Sequence, residues 1–357
     1  MHYENANELF LTNVSSWHHA GFRGQHVDIV SIEEANMAHF EFKGRVKNPF
    51  GETESKDQHG QFVFQSILEF APECTIHMVP NSYSSRSGRP IEDDMVDKVF
   101  PFIKENNIPI FTSSRQGSKM THPGGKKQRE ILKQFIDHHG LTCITAAGND
   151  REIFGSEDAF KDVFLGNPDL INVGAVHLQQ DDTDKLDEWE VNKASYTNKG
   201  DGIDVLMVSN LMLSSFDSSK RKHTGTSFAA PALTGIIALI QSYARVKIGR
   251  FLWQDEILNI IKDNMHKINR GVDDFREEVG LFILPEFKEF DIFKYLVEGR
   301  DKKFPDTQEF NDKAATRMAN LGLLKGYPDG TFKPNNKLSR SDMSLVVCRL
   351  LDMFYNI

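Results

Sequence analysis

Six short runs of apolar, largely β-branched residues punctuate the chain, at 26–32, 75–79, 108–112, 141–146, 170–176 and 203–208. Several are near-continuous rather than alternating, the pattern of strands buried on both faces of a sheet. Between them the apolar period lengthens to that of a helix. Residues 95–105 set Met95, Val96, Val99, Phe102 and Ile103 on one stripe, and 130–138 do the same with Ile131, Leu132, Phe135 and Ile136. Strand and helix patterns alternating in this way predict an α/β fold with a doubly wound, mostly parallel sheet. Residues 226–243 differ, being apolar almost all round, and a helix of that kind belongs inside a domain. Polar loops at 82–90, 116–127 and 179–190 are candidates for substrate contact or plain surface insertion, and the acidic stretch 181–184 reads as a solvated loop rather than a metal site.

The pattern shifts at the charged stretch 297–303. Beyond it comes a helix at 311–321, a turn at Gly326-Tyr-Pro-Asp-Gly330 with Gly330 supplying a positive φ, and a second helix from Ser341. Ser339 and Asp342 form a capping-box pattern. Met343, Val346, Val347, Leu350, Leu351 and Phe354 make the apolar stripe of that helix. The expected domains are therefore 1–297 and a small helical module, 298–357.

Composition narrows the function classes. The 357 residues suit two domains. Lys+Arg 42 against Asp+Glu 51, a net charge of −9, weighs against a nucleic-acid partner, since such binding needs surplus cations to displace counterions. A hydrophobic share of 39%, including 27 Phe, excludes a disordered chain. The longest apolar stretch, 228–240, is too short for a membrane span and is broken by Pro231 and Thr234. Residues 1–7 show neither the basic nor the apolar region of a secretory signal. Three widely spaced cysteines imply neither a disulfide framework nor a zinc site. The expectation is a cytoplasmic protein, or a phage- or spore-associated one, with no cofactor and no metal.

The segment richest in chemistry is His223-Thr-Gly-Thr-Ser-Phe-Ala-Ala-Pro231. It puts Ser227 where loop becomes the buried helix, and first-turn amides there lack intrahelical partners. The positive end of the helix dipole favours an anion forming beside it. Read alone, Ser227 is either a nucleophile or an N-terminal capping residue.

This segment resembles the serine motif of the subtilisin-like proteases (subtilases), and further motifs follow the order of that family over about residues 5–290. Gly24-Gln-His-Val-Asp-Ile-Val-Ser-Ile-Glu-Glu34 resembles the strand that ends in the triad carboxylate. Asp57-Gln-His-Gly-Gln-Phe-Val63 resembles the histidine motif, and Thr145-Ala-Ala-Gly-Asn149 the strand ending in the oxyanion asparagine. Trp253 to Ile261 and Gly280-Leu-Phe-Ile-Leu-Pro285 look like the late helix and closing strand. The resemblance implies a serine endopeptidase acting on peptide or protein substrates. Ser227 would be nucleophile, His59 general base, and Asn149 with the Ser227 amide the oxyanion hole. Ser113, Ser114, Arg115, Ala146, Ala147 and Gly148 would contact substrate.

The match departs in several places. Glu33 stands where the family has aspartate, its extra methylene moving the carboxylate by roughly 1.5 Å; Glu34 is the neighbouring candidate, although successive strand residues face opposite ways. Ser114 and Arg115 occupy a stretch usually rich in glycine, so they either narrow the cleft or recruit an acidic substrate residue. Phe62 replaces a second histidine at a packing position. A calcium-binding loop is short or missing after Val63, and the chain starts in what resembles the first mature helix. Residues 304–342 resemble an S-layer homology module, which implies a cell-wall polymer as partner, with self-association and a plain stabilising role as the alternatives. Against the enzyme reading stand two others: a catalytically weakened protease-fold binding protein, and a polysaccharide-binding protein acting through the C-terminal module.

Overall fold

The β-branched runs become strands of one sheet. The computed structural model describes residues 5–51, 58–80, 95–115, 123–153, 163–180, 189–269, 271–298, 300, 306 and 312–355. Its strands are β1 (Asp28–Ile32), β2 (Val46–Lys47), β3 (Thr75–Val79), β4 (Ile110–Ser113), β5 (Thr142–Ala146), β6 (Ile171–Gln180), β7 (Trp189–Lys193) and β8 (Val205–Val208). Next come a separate antiparallel hairpin, β9 (Leu211–Ser214) with β10 (Lys220–His223), and then β11 (Met265–His266) and β12 (Leu281–Phe282). The main sheet runs β11-β12-β8-β6-β5-β4-β1-β3-β2, and β7 pairs antiparallel with β6. From β12 to β2 every pairing is parallel, as expected from the continuous apolar runs.

Among the described residues the helices up to residue 263 are α1 (Ala6–Leu11), α2 (Val14–His19), α3 (His59–Phe70), α4 (Phe100–Glu105), α5 (Pro123–His139), α6 (Thr226–Ile248) and α7 (Gln254–Asp263). The sheet alternation distributes them over two faces. Val30, Phe111 and Cys143 stand in register on β1, β4 and β5 and pack with Phe100, Leu132 and Phe135 of α4 and α5. One residue further along β4, Thr112 meets the opposite layer, where its hydroxyl accepts from Thr234 of α6 at 3.2 Å. Each fully buried Leu, Ile or Phe in such a layer contributes roughly 1.5–3 kcal/mol over leaving it exposed. By length and composition α6 would suffice to cross a membrane, but 94% of its apolar window is buried inside the protein, the setting of a core helix.

One predicted helix is altered. Residues 95–105 form a π-helical turn, Met95–Val99, running into α4. Pro101 has no N–H with which to continue the ladder back to Asp97, so the turn widens. The loop predicted at 82–90, most of that at 116–127 and residues 181–188 of that at 179–190 lie outside the described residues, while 179–180 and 189–190 are not loop but the paired ends of β6 and β7.

The chain forms two compact units, Met1–Ser242 with Trp253–Asp291, and Tyr243–Leu252 with Ile292–Ile357. Within the second unit are α8 (Asp312–Asn320) and α9 (Arg340–Tyr355). Asn320 Nδ2 donates to the Ile248 carbonyl at 3.0 Å, and Arg349 to that of Leu323 at 2.9 Å. The capping box is reciprocal: Asp342 N donates to Ser339 Oγ at 3.1 Å and Ser339 N to Asp342 Oδ2 at 3.2 Å. Asp306 accepts from the amides of Phe332 and Lys333 and so ties down the turn around Gly330, whose φ is +81°. The predicted stripe of α9 is not a core face. Val346 is buried, whereas Met343, Val347 and Leu351 are about half exposed.

Candidate active site

Three adjacent parallel strands, in the order β5-β4-β1, point their C-terminal ends the same way. Between β1 and β4 the winding reverses, and in open α/β sheets a crevice forms at such a point. Glu33 follows β1, Ser114 and Arg115 follow β4, and Asn149 lies three residues past β5. The first residue of α3, His59, and the second of α6, Ser227, descend onto the same edge.

Glu33 is fully buried, with 0% of its surface exposed, while Glu34 is half-buried. The Oε2 atom of Glu33 receives His59 Nδ1 at 3.3 Å and Arg115 Nε at 2.7 Å. Its Oε1 is buried with no hydrogen-bond partner among the described residues. The strand therefore turns Glu33, not Glu34, toward the imidazole.

What brings α3 this close is Gly60, where a side chain would collide with the Glu34 backbone. A second close approach joins the two functional helices: a Cβ on Gly235 of α6 would stand 2.7 Å from both the Ile67 carbonyl and the Phe70 Cβ of α3. The helices carrying His59 and Ser227 thus meet backbone to backbone. Phe62 packs between them, its ring 3.9 Å from that of His223 and 6.5 Å from that of Phe228. Burial and then Arg221 hold the His223 imidazole below its ordinary pKa.

Ser227 is partly exposed, and its Oγ donates to the Ser114 carbonyl at 3.3 Å. Its neighbour Thr226 organises the other side of the site. Asn149 Oδ1 accepts from both the amide and the hydroxyl of Thr226, each at 3.0 Å, and the same hydroxyl accepts from Gly148 N at 3.1 Å. A backbone amide can only donate, so the Asn149 atom it meets is the oxygen, and Nδ2 is left as the outward donor. Asn149 itself is exposed.

Sequence reasoning missed the residue that shapes this loop. Asn198 is fully buried; its Oδ1 accepts from the amides of Asp150 and Glu152, and its Nδ2 donates to the Ala147 carbonyl at 2.7 Å. Its local sequence, Ser195-Tyr-Thr-Asn-Lys-Gly200, offers nothing to tell it from a turn residue. Tyr196 also escaped notice. Its hydroxyl pairs with Ser209 at 2.9 Å and with Thr224 and Gly225, while burial pushes the phenol pKa up.

A cleft of about 160 Å³ opens between these parts, lined among others by Ser114, Arg115, Ala146, Gly148, Asn149 and Ser227. Ser113 and Ala147 stand behind it and are buried: Ser113 Oγ bonds the Arg115 backbone, and the Ala147 carbonyl is held by Asn198. Among the described residues no group of three or more His, Cys, Asp or Glu side chains is placed to hold a metal ion. Chemically, the arrangement offers a carboxylate on an imidazole, a hydroxyl at a helix start and an oriented amide donor.

The subtilase family profile matches residues 34–281, and that of the S-layer homology domain residues 303–344. A protein of Xanthomonas campestris pv. campestris named "Extracellular protease" is 32% identical over 151 residues, which are 39% of this chain and 23% of that protein. Among solved structures, the prenylagaramide maturation protease PagA superposes with a TM-score of 0.53 at 18% identity, over 79% of this chain and 96% of the other. A lanthipeptide protease does so at 0.53 and 18%, over 73% and 88%. A cold-adapted subtilisin-like serine proteinase gives 0.51 and 19%, over 74% and 90%. These structures share the fold. The expected cytoplasmic location is overturned: a surface-associated S-layer homology domain and similarity to an extracellular protease point to the cell surface or the exterior. The composition of residues 1–7, on which that expectation rested, does not outweigh them.

Proposed function

The chain belongs to the subtilase family, and on that premise we propose that it is a serine endopeptidase working through a Ser227–His59–Glu33 triad, with Asn149 as an oxyanion donor. Ser227 Oγ attacks the scissile carbonyl while His59 takes its proton and later returns it to the leaving amine. Glu33, on Nδ1, fixes the tautomer and stabilises the imidazolium. Asn149 Nδ2 and the Ser227 amide, at the positive end of α6, receive the oxyanion. The observation that carries this reading is the contact of buried Glu33 with His59 Nδ1 at 3.3 Å, beside a cleft lined by Ser227, Asn149 and the Arg115 that also meets Glu33. The Ser227 hydroxyl rests on the Ser114 carbonyl; to act it turns from there to His59, since catalytic hydrogen bonds are often long or unmade in a free enzyme and tighten only when substrate binds.

The test is labelling with a fluorophosphonate probe, which reacts with a serine activated by its base and oxyanion hole. Labelling of the wild-type protein, lost in Ser227→Ala and His59→Ala, supports the triad. Folded wild-type protein that stays unlabelled rules it out.

For the second unit the S-layer homology match at 303–344 supports a cell-wall polymer as ligand, and with it a surface-held peptidase. Co-sedimentation of the full chain with purified wall polysaccharide tests this. A protein that stays in the supernatant, whatever the polymer, would exclude it.

A further inference from the structure

Building on that triad, we infer that Arg115 is a positioning residue: its guanidinium is the counter-ion that holds the buried Glu33 carboxylate turned toward His59. Burying a carboxylate is costly unless it is paired and hydrogen-bonded. Among the described residues, Arg115 is the permanently charged side chain that meets Glu33. Its Oε1 has no hydrogen-bond partner among the described residues, so Oε2 carries the contacts to both His59 and Arg115. Of these, His59 Nδ1 at 3.3 Å is the longer, and a neutral imidazole brings a hydrogen bond without a charge. Arg115 Nε at 2.7 Å is the shorter and is charge-assisted.

The arginine is held for this task. Ser113 Oγ accepts from Arg115 N at 3.3 Å and donates to Arg115 O at 3.1 Å, pinning the backbone just past β4. The longer arm of glutamate and the arginine then belong together, since one carboxylate oxygen reaches a base on one side and a cation on the other. Removing Arg115 leaves a buried, uncompensated charge. Glu33 would then turn away from His59, and the imidazolium formed during attack would lose its support. That loss falls on the chemical step. A side chain that recognised substrate would instead act on binding.

The experiment measures saturation kinetics of fluorophosphonate labelling, giving a maximal rate and a half-saturating concentration, on folded variants checked by thermal unfolding. Arg115→Gln is expected to lower the maximal rate by about tenfold or more with half-saturation changed by less than about twofold, and Arg115→Lys to recover most of the rate. In a Glu33→Gln background, with no charge left to balance, Arg115→Gln is expected to change the rate by less than about twofold. The same loss in both backgrounds, a gain in rate, or an effect confined to half-saturation overturns the inference. A second readout is independent of activity: the proton resonance of His59 Nδ1–H, identified by its loss in His59→Ala. It should move in Arg115→Gln but not respond to that change once Glu33 is Gln. An unmoved resonance in the wild-type background overturns the role of Arg115, whereas absent labelling of wild-type protein overturns the peptidase reading alone.

Discussion

Gly60 lies against Glu34 so closely that a Cβ built on it would stand 2.3 Å from the Glu34 carbonyl oxygen and 2.9 Å from its nitrogen. The first turn of α3 therefore rests on the chain just as it leaves β1. That contact sets the distance between His59, one residue before, and Glu33, one residue before the other partner. Gly60→Ala must push the two backbones apart. Overpacking of this kind costs about 1–3 kcal/mol, and a misplacement near 1 Å at a reacting group costs on the order of a hundredfold in rate. Thermal unfolding and the labelling rate should fall together. A variant that loses stability but keeps its labelling rate would show that this contact does not hold the triad.

Thr226 acts through Asn149 rather than by itself. Thr226→Val keeps the shape of the side chain and removes the hydroxyl that accepts from Gly148 N and donates to Asn149 Oδ1. Asn149→Ala deletes the proposed oxyanion donor and should slow labelling by about a hundredfold to a thousandfold. Thr226→Val should fall between wild type and that variant, because Asn149 keeps the Thr226 amide but loses its second tether. The double variant should be no slower than Asn149→Ala alone. Additive losses would mean that the hydroxyl has a separate role.

Glu33→Asp would restore the residue the family carries at this place, yet here it should lower activity. The carboxylate would retreat by about one carbon–carbon bond, roughly 1.5 Å. Contacts of 3.3 Å to His59 and 2.7 Å to Arg115 depend on the longer arm. The expected result is a labelling rate at least about tenfold below wild type with the fold intact. A faster Glu33→Asp enzyme would mean that the strand has room to compensate.

The strand ends that build this site were legible because they follow continuous β-branched runs, and a parallel sheet buries such runs on both faces. The helix of Ser227 was equally plain from its unbroken apolar surface. What local pattern did not carry were features sustained by distant partners. The hairpin strand Lys220–His223 is basic and exposed, so it shows no alternation; it exists because its partner strand is anchored at Ser214, whose carbonyl accepts from Gln61 and Gln65 of α3 at 2.7 and 2.8 Å. Asn198 orders the Asn149 loop from 49 positions further along the chain. The grip of Arg115 on Glu33 spans 82 positions, and neither residue announces it. The stripe on α9 misled for the opposite reason: a good helical period states which face is apolar, not whether anything covers it.

Acid should weaken the peptidase unit at a predictable point. Burial, as the largest cause, holds the imidazoles of His18, His39 and His223 below their ordinary value. For His18 the Phe70 carbonyl, 2.8 Å from Nε2, pulls back upward, and Arg23 adds to the depression. An unfolded chain carries these histidines at about pKa 6.5. Below that pH the unfolded state binds more protons than the folded one, so stability is full above it and is lost as pH falls toward the folded values. Asp204, raised chiefly by burial, works in the other direction, since its folded form takes up a proton first; that contribution grows only at lower pH, near the carboxylate range. The melting temperature should therefore hold steady from about pH 8 to 7 and decline below about 6.5. Replacing His18 and His223 by Gln should lower the plateau slightly and flatten the decline. An unchanged slope in that double variant would place the acid sensitivity elsewhere.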